Sequence, residues 1–244
     1  MNKTPKAIVI GATSGIGMEV AKCLANKGWQ VGIAGRRTER LAALQQQVAD
    51  ITCYKQIDIT DNQAATQLYD LIEQTGGMDL YFHSSGIGWQ NTQLDLDKEL
   101  NTTLTNGVGF VRMIDAAFQW FATHQHAGRI ACISSIAGTK GLGAAPAYSS
   151  TKRFQSHYME CLSQLAHMHH LPISFTDIRP GFVATDLIAG SHFPLQLDAK
   201  KVAHNIVKAI EQGKGIKIID WRYWLLTKLW QLIPRSIWTR LPIQ

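Results

Sequence analysis

The sequence contains no run of five or six basic residues, although 24 Lys and Arg outnumber 18 Asp and Glu and leave a formal net charge of +6. Nor are its basic residues interleaved with aromatics, so the nucleic-acid-binding classes are set aside. The charge bias suits an anionic cofactor or a membrane surface instead. The four cysteines, Cys23, Cys53, Cys132 and Cys161, form no C-x-x-C pair. That argues against a zinc site or a disulfide framework and for buried free thiols in a reducing compartment. No metal is expected: His169 and His170 are adjacent and diverge on a helix. The stretch Met1–Lys6 has no signal-peptide apolar region, so the expected location is cytoplasmic. No linker-like stretch divides the 244 residues, of which 45% are hydrophobic and 17% charged. One soluble domain with a sizeable core follows.

What is there centres on Tyr148-Ser149-Ser150-Thr151-Lys152. Residues four apart share a helix face, so the phenol and the ammonium point into one cleft. An unperturbed tyrosine titrates near 10, and a nearby ammonium brings it toward the range of a working acid–base. The ordinary alternative is a Tyr/Lys pair on a solvated helix. The rest of the chain decides between the two.

Lys6-Ala7-Ile8-Val9-Ile10 reads as a strand covered on both faces. Gly11-Ala12-Thr13-Ser14-Gly15-Ile16-Gly17 follows, and Met18, Val20, Ala21 and Leu24 then recur at helical spacing. Strand, glycine turn and helix form the context of a dinucleotide fingerprint, here spaced G-x-x-x-G-x-G. Gly11 would allow the tight turn, Gly15 the approach of a pyrophosphate and Gly17 close helix–strand packing. The free N–H groups of the helix start would bind the phosphates. After the second strand, Gln30–Ala34, the acid that would hold a ribose 2′-hydroxyl is absent, and Gly35-Arg36-Arg37 stands there. Guanidinium groups match a 2′-phosphate, so the expected cofactor is NADP(H).

The alternation continues. Leu41, Leu44 and Val48 mark a helix, and Thr52–Ile57 a strand. Asp58 is placed to meet the adenine, with Thr60 or Asp61 capping the next helix. Leu68, Leu71 and Ile72 give that helix, Asp79–His83 another strand, and Gly86 a turn. Arg129–Ser135 reads as a strand ending in two serines, with a flexible Ala/Gly-rich loop, Ala137–Ala145, before Tyr148. The fold class is therefore α/β: a doubly wound parallel sheet, with ligands at the C-terminal strand ends.

In order and spacing, Gly11-x-x-x-Gly15-x-Gly17, Asp58, Asn106, Ser135, Tyr148-x-x-x-Lys152 and Pro180-Gly181 resemble the classical short-chain dehydrogenase/reductase family, over about Lys6 to Asp186. The resemblance implies a Rossmann fold and hydride transfer between a nicotinamide and a carbonyl or secondary alcohol. Tyr148 would be the general acid–base and Ser135 would polarise the substrate oxygen. Lys152 would hold the nicotinamide ribose and lower the Tyr148 pKa. Asn106 would keep a water in the proton relay by holding its helix open. Cofactor contacts would come from Gly11, Thr13, Ser14, Gly15, Ile16, Gly17, Arg36, Arg37, Asp58, Ile59, Ser85, Gly86, Pro180 and Gly181. Thr185 and the backbone at Val183 would meet the carboxamide. Arg36 stands where NADP-preferring members carry a basic residue. The sequence departs from the family at Ile10, in place of threonine, and at His83-Ser84-Ser85-Gly86, in place of Asn-Asn-Ala-Gly; His83 reads as a packed strand residue. A catalytically idle NADP-binding sensor or scaffold is the alternative.

Leu187–Leu195 reads as a mobile lid, and with Trp89 and Phe182 its apolar content suggests a lipophilic carbonyl substrate. The domain ends near residue 220. The tail, 221–244, holds Trp221, Trp224, Trp230 and Trp238, four of the seven tryptophans. On a helical wheel Leu225, Leu226, Leu229, Trp230, Leu232 and Ile233 share a face opposite Thr227, Lys228 and Gln231, until Pro234 interrupts. The tail is too short and too charged to span a bilayer. Packing on a second subunit of a homo-oligomer, lying on a membrane surface and covering the active site all remain open.

Overall fold

In the computed structural model, which describes residues 4–186 and 195–243, the apolar runs form seven strands. These are β1 (Lys6–Ile10), β2 (Gln30–Gly35), β3 (Ile51–Gln56), β4 (Leu80–His83), β5 (Gly128–Ile133), β6 (Ile173–Arg179) and β7 (Ile216–Ile218). They lie in the order β3-β2-β1-β4-β5-β6-β7, and every neighbouring pair is parallel. Parallel neighbours need crossover connections. Helices α1 (Gly15–Ala25), α2 (Thr38–Gln47), α3 (Ala64–Thr75), α4 (Leu96–Thr103), α5 (Phe110–Thr123), α6 (Pro146–Met168) and α7 (Ala199–Glu211) supply them. Two helices, α8 (Trp221–Leu232) and α9 (Arg235–Trp238), follow the sheet.

Successive strand residues face opposite sides, and each side closes its own core. Ala7, Val9, Val31, Ile33, Leu80 and Phe82 pack with α1 and α7. Ile8, Ile10, Tyr81, Ile130 and Cys132 pack with α3, α5 and α6. The doubly wound α/β reading holds. The strand order turns back between β1 and β4, which opens a crevice at their C-terminal ends.

The differences from the sequence reading are local. Strand β7, three residues long, is too short to show a period. Helix α3 starts at Ala64 without a side-chain cap; Asp61 instead accepts from the Gln63 N–H at 2.7 Å, shaping the turn ahead of it. Of the thiols only Cys132 is buried, and Cys161 is exposed. The expected face of α8 is also rotated. Tyr223 and Thr227 are the buried pair, because Tyr223 seats its ring against Gly181. Leu225, Leu229 and Leu232 point outward. No helix among the described residues is long and apolar enough to cross a membrane.

His83 ends β4 with 1% of its surface exposed, its Nδ1 3.0 Å from the Tyr81 hydroxyl and its ring edge-on to Phe110. Burial, reinforced by the Lys152 charge, depresses its pKa to about 3. An unfolded histidine takes its proton near 6.5, so the unfolded state binds more protons between these values. Stability from His83 is present above about pH 6.5 and is lost as pH falls toward 3, by about 2 kcal/mol at pH 5. His83→Asn should therefore flatten the fall in denaturant-derived stability between pH 7 and 5; an unchanged slope would remove His83 as its source.

Candidate active site

The crevice is assembled from the segments that leave the sheet. After β1 the chain turns at Gly11 with φ +88°, and a Cβ there would lie 2.7 Å from the Ser85 nitrogen. Only glycine lets the loop close on the Ser85-Gly86 turn after β4. At Gly17 a Cβ would run into the Gly11 carbonyl, so helix α1 starts tight against the loop. Thr185 closes the crevice from the other side, its Cγ2 3.0 Å from where a Gly15 side chain would begin. This is a cradle that any Cβ would fill, as a dinucleotide phosphate site requires.

The two arginines after β2 diverge. Arg37 reaches the loop, its Nη2 donating to Thr13 Oγ1 and Ser14 Oγ, both at 2.7 Å. It also pairs with Asp186 at 3.4 Å, which Arg40 approaches at 3.1 Å. Arg36 lines a cavity of about 240 Å³ with Gln56, Asp58, Asp61 and Gln67. Burial raises the Asp58 pKa, but the Thr60 backbone and hydroxyl bonds, with the Arg36 charge, outweigh it and hold the carboxyl below its usual range. Thus the arginine at the phosphate loop is Arg37, while Arg36 flanks the Asp58 cavity. Ile59, behind Asp58, is buried where Gly109 packs against it.

Strand β5 ends at Ile133, two residues earlier than expected, and the two serines that follow separate. Ser134 bonds to Asp177 and the Ile178 carbonyl inside the protein. Asp177 also accepts from Ser156 at 2.6 Å and Arg179 at 2.7 Å. Ser135 has extended backbone and accepts from the Ala137 N–H at 3.1 Å, and its hydroxyl faces Tyr148 closely enough to pull the phenol pKa down. The Ile136 N–H donates to the Pro180 carbonyl at 3.1 Å, tying this turn to the Pro180-Gly181 loop. Beyond it, Val183 bridges Leu197. The expected lid lies outside the described residues from 187 to 194.

Pro146 opens α6, and Tyr148 and Lys152 lie one turn apart on it. Lys152 is 4% exposed; its ammonium donates to the Ile133 carbonyl at 2.8 Å and to Gln155 Oε1 at 2.9 Å. Burial lowers its pKa to about 8, against the opposing pull of Cys132 and Asp177. Tyr148 shifts the other way. Burial raises its pKa, and the Ser135 bond only partly offsets this. The expected lowering by Lys152 is not seen because the ammonium turns to Ile133 and Gln155 and lies 5.7 Å from the ring centroid. A Cβ at Gly88 would overlap the Tyr148 ring, so a glycine is what seats the phenol.

Asn106 is fully buried within a π turn, Leu104–Gly109. Its side chain grips Ile87, accepting from the N–H at 2.9 Å and donating to the carbonyl at 2.7 Å. Its own carbonyl receives Gln155 Nε2 at 2.9 Å. A side-chain amide therefore links the Asn106 carbonyl to the Lys152 ammonium. Gln155 is missing from the sequence reading, although it lies three residues past Lys152 and so on the same helix face.

Comparisons with known proteins identify the family and the fold. The family model for short chain dehydrogenases matches residues 5–192, and the chain belongs to the short-chain dehydrogenase/reductase family. It is 30% identical over 243 residues to an uncharacterized oxidoreductase of Mycobacterium tuberculosis, spanning 94% of each chain. Its fold matches a short-chain dehydrogenase/reductase from Burkholderia phymatum solved with NAD, with a TM-score of 0.85 and 16% identity over 99% of this chain and 97% of that one. An actinorhodin polyketide ketoreductase variant solved with NADPH matches with a TM-score of 0.76 and 20% identity, over 88% and 95%. The protein is an oxidoreductase of this class.

The Lys152 charge is present below about pH 8 and disappears above it. Because an unfolded lysine holds its proton to about 10.4, burying this one costs stability that is recovered as pH rises from about 8. Gln155→Leu removes an acceptor from the ammonium and should move its titration to lower pH; Gln155→Glu should move it up. Following the lysine Cε resonance of ¹³C-labelled protein measures both shifts, and a midpoint indifferent to residue 155 would reject the coupling.

Proposed function

We propose that this protein is an NADP(H)-dependent reductase or dehydrogenase that interconverts an apolar ketone or aldehyde and its alcohol. The observation that carries this is the convergence of Ser135, Tyr148, Lys152 and the Asn106 turn beside the glycine cradle at the C-terminal edge of one parallel sheet. When bound, the nicotinamide supplies or accepts the hydride at the carbonyl carbon. Ser135 orients the substrate oxygen, and Tyr148 gives it a proton as the carbonyl is reduced, or removes one in the reverse direction. The raised phenol pKa keeps that proton in place at neutral pH. Lys152, with two donor bonds committed inside the protein, has its third N–H for the nicotinamide ribose. Asn106 and Gln155 hold that ammonium in register.

For the cofactor, we assign the 2′-phosphate to Arg37 and Arg36 together. Arg37, with Thr13 and Ser14, offers donors at the loop, and Arg36 approaches from the Asp58 cavity. The Pro180–Thr185 loop would receive the carboxamide. A homo-oligomer is the proposed assembly: Leu96, Leu100, Leu104 and Val108 recur every fourth residue along α4 and the π turn, exposed, with Phe154 also exposed on α6. The free thiols support a reducing, cytoplasmic setting. Residues 1–220 would form the catalytic unit and 221–244 an appended tail.

The test is NADPH oxidation against aldehydes and ketones graded in apolar size. Turnover is expected to rise with size. Tyr148→Phe should cut turnover by about 10²-fold or more while NADPH binding persists; equal turnover by the variant would remove Tyr148 from the chemistry. Tight NADPH binding with no turnover on any carbonyl would favour a cofactor-binding sensor. Arg37→Ala should weaken NADPH by about tenfold or more relative to NADH, since a charge-assisted bond to phosphate is lost. Equal losses would place the 2′-phosphate elsewhere.

A further inference from the structure

Helix α8 has two apolar faces, and only one is used. Inside, the Tyr223 ring lies against Gly181, its hydroxyl donates to the Leu195 carbonyl, and Thr227 is 1% exposed. Just beyond α8, the Ile233 carbonyl receives the Lys140 ammonium at 2.7 Å. Trp238 then inserts and donates from Nε1 to the Gly141 carbonyl at 2.7 Å. The tail is thus held at the Gly181 and Leu195 backbone and, twice, at the Lys140-Gly141 turn ahead of the helix that carries Tyr148.

The outer face carries Trp221, Trp224, Leu225, Leu229 and Leu232, all exposed, with Leu232 at 78% and Trp221 at 71%. Spacings of four, eight and eleven residues from Trp221 bring Leu225, Leu229 and Leu232 onto one stripe. Lys228, seven residues from Trp221, sits within that stripe and is exposed. From 221 to 244 there are four basic residues, Arg222, Lys228, Arg235 and Arg240, and no acidic one. Arg222 is committed to Asp220 at 2.8 Å, whereas Lys228, Arg235 and Arg240 are exposed on this acid-free segment.

That charge pattern selects the occupant. A two-fold contact between copies is isologous, so it would press Lys228 stripes and their flanking arginines toward one another. An anionic lipid surface attracts the same cations, while indole and leucine side chains suit the headgroup–acyl boundary. We propose that the outer face of α8 docks this protein onto anionic bilayers as a peripheral contact, with the Trp–Leu stripe inserted and Lys228, Arg235 and Arg240 at the phosphates. The Lys140 and Gly141 contacts then hold the turn ahead of the helix that carries Tyr148 beside the lipid-bound tail. This contact is independent of the catalytic reading, because vesicle binding requires neither cofactor nor turnover.

The test uses the full chain and co-sedimentation with vesicles of phosphatidylcholine alone or mixed with phosphatidylglycerol. Partitioning should be at least about tenfold stronger on the anionic vesicles and should weaken with salt. The triple variant Leu225→Ser, Leu229→Ser, Leu232→Ser, with its unfolding midpoint measured beside wild type, should lose about tenfold or more of this binding. Lys228→Glu, a surface change that keeps every tryptophan and leucine of the stripe, should weaken the anionic preference without reducing helix content. Failure of wild type to pellet with anionic vesicles would overturn the proposal. So would equal binding to both vesicle types, or light scattering in which wild type is a multimer and the triple variant a monomer, since a second copy would then cover the face.

Discussion

The arrangement depends on a single buried ammonium. Lys152 has to keep a charge beneath the sheet edge, and an uncompensated ammonium there would be costly. The Ile133 carbonyl at the end of β5 and the Gln155 amide one turn along α6 meet that demand. Because both acceptors are rigidly held, the ammonium in turn fixes α6 against the end of β5. Tyr148, one turn earlier, is carried to Ser135 by the same docking. The Gln155 bridge extends the constraint to the Asn106 carbonyl in the π turn, and the Asn106 side chain to Ile87. Three elements distant in sequence are thereby held to one geometry. Burial is what gives the ammonium a pKa of about 8 and the phenol one above its ordinary range.

The second constraint is the absence of side chains at the switch point. The Gly11 turn has no room for a Cβ against Ser85, and Gly17 has none against the Gly11 carbonyl. Gly86 runs between the loop and Asn106, and a Cβ there would sit 3.3 Å from Lys152 Nζ. The Gly11 loop and the Lys152 ammonium therefore share the Ser85-Gly86 turn as a common wall, so the phosphate cradle and the catalytic group proposed here would adjoin. Binding at one end is mechanically close to chemistry at the other.

Much of this was legible in the sequence because it rests on local spacing. The four-residue step from Tyr148 to Lys152, the strand–glycine–helix run at Gly11 and the alternation of apolar runs all follow from backbone periodicity. What escaped depends on tertiary contact. Gln155 looked like an ordinary helix residue until its two partners were in place. Gly88 has meaning only beside the Tyr148 ring. The division of labour between Arg36 and Arg37 is set by which way the chain leaves β2, which composition does not specify. The helical wheel set Thr227 opposite the face of Leu225 and Leu229, and it is Tyr223 on Gly181 that makes the Thr227 side the inner one. The pKa of Tyr148 followed the same pattern: proximity to Lys152 was correct, but the direction in which the ammonium points decided the shift.

These residues are proposed to direct a hydride from a nicotinamide to a carbonyl carbon. That transfer is followed by incubating the protein with NADPH carrying deuterium at both C4 positions and a prochiral apolar ketone, then separating the alcohol by chiral chromatography and reading its mass. One deuterium is expected on the carbinol carbon, delivered to a single face, and its transfer should slow by about 10²-fold or more when Tyr148 is replaced by phenylalanine. Tight cofactor binding with the deuterium still on the nicotinamide, for every ketone and aldehyde offered, would contradict it.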